Sequence, residues 1–334
     1  MLVQDVAQWR ASRFSFLLVS VLGLAMSSCV TFDWENHEPA PAQTFFVKER
    51  VLIPKTERSY PVWRTKSPGP PVLLLHPVNG LHPDFLRFAL LVERWGYRVY
   101  LPSLYGESVG RVPVFGANEQ AKAITEVLRS PMWHPFSKES IGPIVDDIAV
   151  MSRWVSAREG GEKIAVVGNS FTGTIPLAVL DEPSVRLAVL GQPSTPVMRM
   201  WQIFFHIPQR EATARSLGVS EGKWRSVTQA LEQDPRKRII GFHYWGDPVA
   251  PILRFDALHD RLEQRRLDDR FRAFVLTPSS GYAYVSARKD WMKAGGTNSY
   301  LKTLTPHSTY VGALSHEDLA WFRSQLRYVL AQTW

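Results

Sequence analysis

The chain has 334 residues, 45% of them apolar and 21% charged, with a formal net charge of +8. That balance belongs to a globular protein with a sizeable core; it excludes a disordered, collagen-like or low-complexity chain, and the length fits one large domain without requiring two. The positive charge is scattered, and its densest stretch, 261–272 (RLEQRRLDDRFR), interleaves acids with bases, which reads as a solvated helix face and argues against a nucleic-acid partner.

The first thirty residues stand apart. Arg10 and Arg13 precede an uncharged apolar run, 14–26, that is short for a bilayer span and ends in small residues, the layout of an export signal over 1–28. The run stops at Met26-Ser27-Ser28-Cys29, and Cys29 is the only cysteine of the chain. This resembles a bacterial lipobox, in which a cysteine preceded by small residues is lipidated and becomes the new N-terminus. The resemblance implies a signal peptide and a lipoprotein held through Cys29 to the periplasmic face of a membrane in a bacterial cell envelope; the plainer reading is an ordinary cleaved signal or an uncleaved anchor helix. A single cysteine also fits an exported protein that relies on its core and not on disulfides. Residues 29–43 are polar and proline-bearing and read as a tether, so the folded domain is expected over 44–334.

Within that domain short apolar runs alternate with longer helical patterns, which predicts an α/β architecture: a mostly parallel, twisted sheet with helices on both faces. Residues 45–53 and 60–65 are expected to open it as a hairpin. Val72 to His76 is a continuous apolar run and reads as a buried strand. A helix is expected from Asp84 to Trp95, a strand from Arg98 to Leu101, and an irregular excursion over 106–142. Ile144 to Arg158 is an amphipathic helix closed by Gly160-Gly161, and Lys163 to Val167 is the next strand. A helix then runs to Leu180; further strands are expected at 185–190, 238–245 and 272–277, and a last helix at 315–331.

Between the strand ending at Val167 and the following helix stands Gly168-Asn169-Ser170-Phe171-Thr172-Gly173. A strand that turns abruptly into a helix needs small residues beside the turn, and the residue at its apex is held strained with its side chain exposed at the sheet's carboxyl edge, next to free helix N–H groups. The hexapeptide resembles the nucleophile elbow of the α/β-hydrolase fold, with Ser170 as nucleophile, although Thr172 stands where that pattern has its second glycine. The plainer reading is a turn capped by Ser170. A serine hydroxyl needs a base, and the base needs a carboxylate to fix its tautomer; in this fold they follow in the order nucleophile, acid, histidine. Asp247, in Gly-Asp-Pro-Val-Ala-Pro after a predicted strand, stands where the acid belongs, though a turn aspartate before proline is also common. Two late histidines compete for the base. His316 follows Ser315 at the start of the final helix, whereas His307 lies in the loop before it; a catalytic imidazole on a loop favours His307. The oxyanion donors are expected to be the backbone N–H groups of Val78 and Phe171, since Pro77 has none to give. His134, His206 and His259 show no partners at metal-ligand spacing, and neither a metal nor a cofactor is expected.

Together LLLHPVNGL, RVYLPSLYGES, GNSFTG, LGQPSTP, YWGDPVAP and PHSTY resemble the dienelactone hydrolase group of α/β hydrolases over most of residues 70–330. The resemblance implies Ser170, Asp247 and His307 as catalytic residues, and a serine esterase acting on a small-molecule ester or acyl substrate. That group usually has a cysteine nucleophile and a glutamate after the first-strand histidine. Ser170 and Pro77 at those positions favour ordinary ester or amide chemistry over dienelactone. Acyltransferase or peptidase activity with the same triad, and a lipoprotein that keeps the fold without the activity, are the alternatives. Residues 193–237 are expected to insert a helical lid beginning PVMRMWQIFFHIP, in which Trp201, Phe204 and Phe205 line the pocket or anchor the lid to the core.

Overall fold

Strand β1 (Phe46–Ile53) and strand β2 (Arg58–Thr65) form the expected hairpin, antiparallel and in register with Val51 opposite Tyr60. The computed structural model describes residues 43–78, 80–105, 127, 129–197, 209–244, 247, 250–277, 281–285 and 316–334. The export signal, Cys29 and nearly all of the tether lie outside these residues, as do His307, Trp201, Phe204 and Phe205. Among the described residues no helix is long and apolar enough to cross a membrane.

Strand β3 (Pro71–Leu75) is buried along its whole length, as a strand covered on both faces must be. Helix α1 (Pro83–Arg94) starts on Pro83, whose fixed φ suits a first turn, and the chain leaves it through Gly96 at φ +98°. Strand β4 (Arg98–Pro102), helix α2 (Ile144–Arg158) and strand β5 (Ile164–Asn169) follow. Beyond them come helix α3 (Ile175–Ala178), strand β6 (Val185–Gly191), helices α4 (Gln209–Ala214) and α5 (Glu221–Gln233), and strand β7 (Arg238–Tyr244). Helix α6 (Leu253–Glu263), strands β8 (Phe271–Thr277) and β9 (Gly281–Val285), and helix α7 (His316–Ala331) complete the order.

The nine strands form one sheet in the order β1-β2-β4-β3-β5-β6-β7-β8-β9. Pairing is parallel from β4 through β3, β5, β6 and β7 to β8, and antiparallel at both ends. Alternation along each strand divides the core in two. Leu73, Leu75, Val166 and Leu190 face α2, α3, α5 and α6, where Ile148, Leu177, Trp224 and Leu258 meet them. Val72, Leu74, Val167 and Val189 face α1 and α7, against Phe85, Phe88, Phe322 and Leu326. Each fully buried aliphatic side chain there contributes about 1.5–3 kcal/mol. A polar anchor fixes α2 to the hairpin: buried Asp147 accepts from Arg58 Nε and Nη2 at 2.9 and 3.0 Å and from the Tyr60 hydroxyl at 2.6 Å.

Several expectations change. The stretch 261–272 is not one helix face: α6 ends at Glu263, a 3-10 turn covers Asp268–Arg270, and β8 begins at Phe271. Leu262 and Leu267 are both buried, and the tight reversal that buries both ends the helix. The helix after the elbow is a single turn, because every residue of it is buried beneath the sheet edge and the chain must return at once to β6. Within the proposed insertion, α5 packs Trp224, Val227 and Leu231 into the main core as the crossover between β6 and β7. Residues 198–208, which carry the lid expectation, are outside the described residues.

Candidate active site

Ser170 sits at the carboxyl end of β5, at φ +57°, followed immediately by a 3-10 turn over Ser170–Thr172. A non-glycine residue in this left-handed region costs on the order of 1–2 kcal/mol, so the surrounding structure must hold it there. It does so with two hydrogen bonds to the Ser170 carbonyl, from Gly173 N–H at 2.8 Å and Ser194 N–H at 3.0 Å. The two glycines are sterically required. A Cβ on Gly168 would lie 2.3 Å from the Thr172 carbonyl oxygen, and one on Gly173 would lie 2.7 Å from both the Gly191 oxygen and Pro193 Cα. These are backbone atoms that cannot swing aside, so Gly173→Ala is expected to destabilise the protein by about 1–3 kcal/mol, read as a lower midpoint in urea. An unchanged midpoint would show that the elbow is loose.

Thr172 explains the displaced glycine. Its buried hydroxyl accepts the Asn169 N–H at 3.2 Å and lies 3.1–3.2 Å from the carbonyl oxygens of Leu75, His76 and Asn169. The side chain thus ties the elbow to the loop leaving β3. That loop carries Val78, which is buried, as is Phe171 on the elbow. Both of the expected oxyanion donors therefore stand at the same sheet edge, on segments that Thr172 joins.

Asp247 follows β7 at that edge and is 1% exposed. One carboxylate oxygen accepts the Ala250 N–H at 3.1 Å, and the other accepts from the side-chain amide of Gln192. Gln192, in the loop leaving β6, is itself bound to β7 by its N–H to the Phe242 carbonyl at 2.8 Å. Two residues on, Ser194 donates to the elbow. The β6 exit loop is therefore a hydrogen-bonded bridge from the strained serine to the buried acid.

The strand order from β1 to β8, with only β2 antiparallel among them, and a strained serine between β5 and a helix, together decide the architecture. The fold is that of the α/β hydrolases. No family model matches the chain, and no curated protein does. Among solved structures, it is similar to a dienelactone hydrolase-like promiscuous phosphotriesterase from metagenomic libraries, at 12% identity and a TM-score of 0.50, over 86% of this chain and 98% of that one. It is also similar to an esterase from Pyrococcus furiosus (12% identity, TM-score 0.45, 76% and 91% of the two chains) and to a dienelactone hydrolase from Anabaena variabilis (13%, 0.44, 75% and 96%).

Of the two histidines that the sequence offers as base, one stands in the chain before α7. His307 lies there, outside the described residues. His316 is the first residue of α7. The turn carrying Asp247 has a brace that the sequence did not suggest: His243, 1% exposed on β7, has Nε2 2.5 Å from the Ala250 carbonyl oxygen. Sequence reasoning also passed over Gln192 and Arg254. Arg254 on α6 is wholly buried, and its guanidinium donates to the carbonyls of Pro193 and Pro196, on either side of the contacts to the elbow. Only the position of Gln192 in LGQPSTP, after a buried strand, hinted at a role. An aromatic wall flanks the elbow: Phe171 and Trp133 have ring centroids 4.8 Å apart, and Tyr105 stands 6.2 Å from Trp133 and 4.8 Å from His76.

His76 is structural. Its Nδ1 donates to the Pro77 carbonyl at 2.7 Å and its Nε2 accepts the Leu104 N–H at 3.0 Å, a neutral tautomer joining the loops after β3 and β4. Burial pushes its pKa down to about 4, and burial does the same to His82, against the opposing pull of Asp84. An unfolded imidazole titrates near about 6.5, so between the two values the unfolded chain binds more protons and stability rises with pH. The protein is therefore expected to lose stability, on the order of a few kcal/mol, as the pH falls from about 6.5 to about 4. Denaturant midpoints measured across that window check it, and a flat profile from neutrality to pH 4 would refute it.

One expectation about metals needs correcting. His259 and Glu263 lie one helical turn apart on α6, with Nδ1 and Oε2 4.0 Å apart, and with Asp260 they bring possible ligand atoms within 4.8 Å. The i, i+4 spacing was legible in the sequence. Asp260 is also engaged by Arg215 at 2.6 Å.

Proposed function

We propose that this protein is a serine hydrolase of carboxylic esters, working through Ser170, His307 and Asp247. The observation that carries the reading is Ser170 at φ +57° on β5, joined through the β6 exit loop to a buried carboxylate on the same sheet edge. Such strain persists only where the structure over-determines it. Ser170 is 2% exposed and not open at the sheet edge as the elbow pattern suggested, so in this reading the substrate reaches a hydroxyl that lies beneath the surface.

In this mechanism Ser170 Oγ attacks the ester carbonyl carbon while the His307 imidazole takes its proton. The carbonyl oxygen becomes an oxyanion between the Val78 and Phe171 N–H groups, fixed donors that need no reorganisation. Collapse breaks the bond to the alkoxy group, which leaves as the alcohol with the proton from His307. Water then attacks the acyl-enzyme, gives its proton to His307, and the acid departs as Ser170 regains the proton. Asp247 fixes the imidazole tautomer and stabilises its charged form. Labelling by a fluorophosphonate, slowed when an ester substrate is present to compete for the same hydroxyl, is the experiment that tests it; an unlabelled, folded protein would leave a hydrolase fold without the activity.

The same reading includes export and a lipid anchor at Cys29 in a bacterial envelope, carried by the charged–apolar–small pattern that ends at the one cysteine of the chain. Wild-type protein is expected to partition into detergent, and Cys29→Ala to leave it unprocessed or release it. Wild-type protein recovered in the aqueous phase, cleaved at another site, would refute the anchor.

A further inference from the structure

A cleft of about 680 Å³ opens at the amino-terminal ends of β6, β7 and β8, the sheet edge opposite Ser170 and Asp247. Five arginines line it: Arg186, Arg236, Arg238, Arg270 and Arg272. The one carboxylate among the lining side chains is Asp269. Leu187, Ile240 and Val329 also line it, so part of its wall is apolar.

The contacts within the cleft do little to neutralise this charge. Arg186 Nη1 donates to the Thr333 carbonyl at 3.0 Å, and its Nε is buried without a partner among the described residues. Arg238 Nη1 donates to the Lys237 carbonyl at 2.9 Å, and both Arg238 and Arg270 donate to the Pro235 carbonyl. Carbonyl oxygens orient a guanidinium but carry no net charge. Among the described residues Asp269 pairs with Arg270 at 3.4 Å and Asp234 with Arg236 at 3.3 Å, the latter exposed, and Arg272 has an interaction of its own. Arg238 also titrates below its ordinary value, first through burial and then through the nearby charge of Arg270, against the opposing pull of Asp269 and Asp234. Guanidinia gathered around a concavity in this way are at a cost unless an anion joins them.

We propose that this cleft binds a compact ligand carrying two or more phosphate-type groups, at a site separate from the one where the ester is cleaved. Guanidinium forks match phosphate oxygens in pairs, and each phosphate brings more charge than a carboxylate. The volume exceeds what a single phosphate fills, and the partly apolar lining lowers the local dielectric in which each charged contact acts. The phosphate groups can belong to a soluble polyphosphate or phosphoester, or to lipid headgroups.

The test uses the full chain with tripolyphosphate as probe in calorimetric titration, and vesicles containing phosphatidic acid in a flotation assay. Arg236 and Arg272 are exposed, so Arg236→Glu with Arg272→Glu cancels the net side-chain charge of the cleft without opening the core; an unchanged melting temperature verifies this. Expected is saturable binding that weakens at high salt and falls by about tenfold or more in the double variant. Arg225→Glu, exposed on α5 and absent from the cleft, is expected to leave it unchanged. Tripolyphosphate binding without flotation assigns the site to a soluble ligand, and flotation competed by tripolyphosphate assigns it to headgroups; both support the proposal. Binding of neither probe overturns it, as does an equal loss in Arg225→Glu, which would reduce the cleft to general surface charge. Fluorophosphonate labelling of Ser170 is expected to be the same in all these variants, so the two readings fail separately.

Discussion

Ser170→Ala is expected to abolish covalent labelling by a fluorophosphonate and to lower ester turnover by roughly 10⁴–10⁶-fold, with the fold intact. Removing a triad nucleophile leaves only the oxyanion donors and substrate binding, which by themselves retain a small part of the rate enhancement. The backbone at the apex is held by Gly173 and Ser194 donating to the Ser170 carbonyl, neither of which involves the serine side chain. Alanine suffers the same φ strain as serine, so the melting temperature should move little. The variant separates chemistry from architecture: full activity in Ser170→Ala would mean that the elbow has been misread and that the hydrolase proposal goes with it.

His307→Ala is expected to cost nearly as much, and the double variant Ser170→Ala/His307→Ala to be scarcely slower than either single one. A nucleophile and its base act as one unit; once either is gone the other has nothing to do, so their effects do not add. His316→Ala is expected to cost little. His316 opens α7, whose Phe322 and Leu326 are packed in the core, whereas the expected base comes from the chain before that helix. Steady-state kinetics on one ester with all four proteins settles the assignment. A silent His316→Ala beside a near-normal His307→Ala would move the base to α7 and leave Ser170 and Asp247 where they are.

The sequence was most informative where a local rule and the tertiary environment agree. The run Val72 to His76 could only be a strand covered on both faces, and Gly168 and Gly173 could only flank a turn too tight for side chains. Pattern alone likewise placed α2 and its glycine stop, the opening hairpin and the parallel core, and picked out Ser170 and Asp247 as the residues at strand ends. Local pattern could not see what lies across the fold. The four-residue α3 is short because the chain must return beneath the edge to β6, and β9 exists because β8 offers it an edge to pair with. Thr172 looked like a defect in a glycine pattern until its hydroxyl met the carbonyls of Leu75 and His76, about a hundred residues earlier in the chain. Gln192 and Arg254 carried no signal of their own, because a buried amide or guanidinium is defined by the partners that satisfy it. Those partners, Asp247 for Gln192 and the Pro193 and Pro196 carbonyls for Arg254, are 55–61 residues away along the chain. The basic cleft shows the same limit. Its arginines are scattered between positions 186 and 272, and only the parallel stacking of β6, β7 and β8 gathers their charges at one edge.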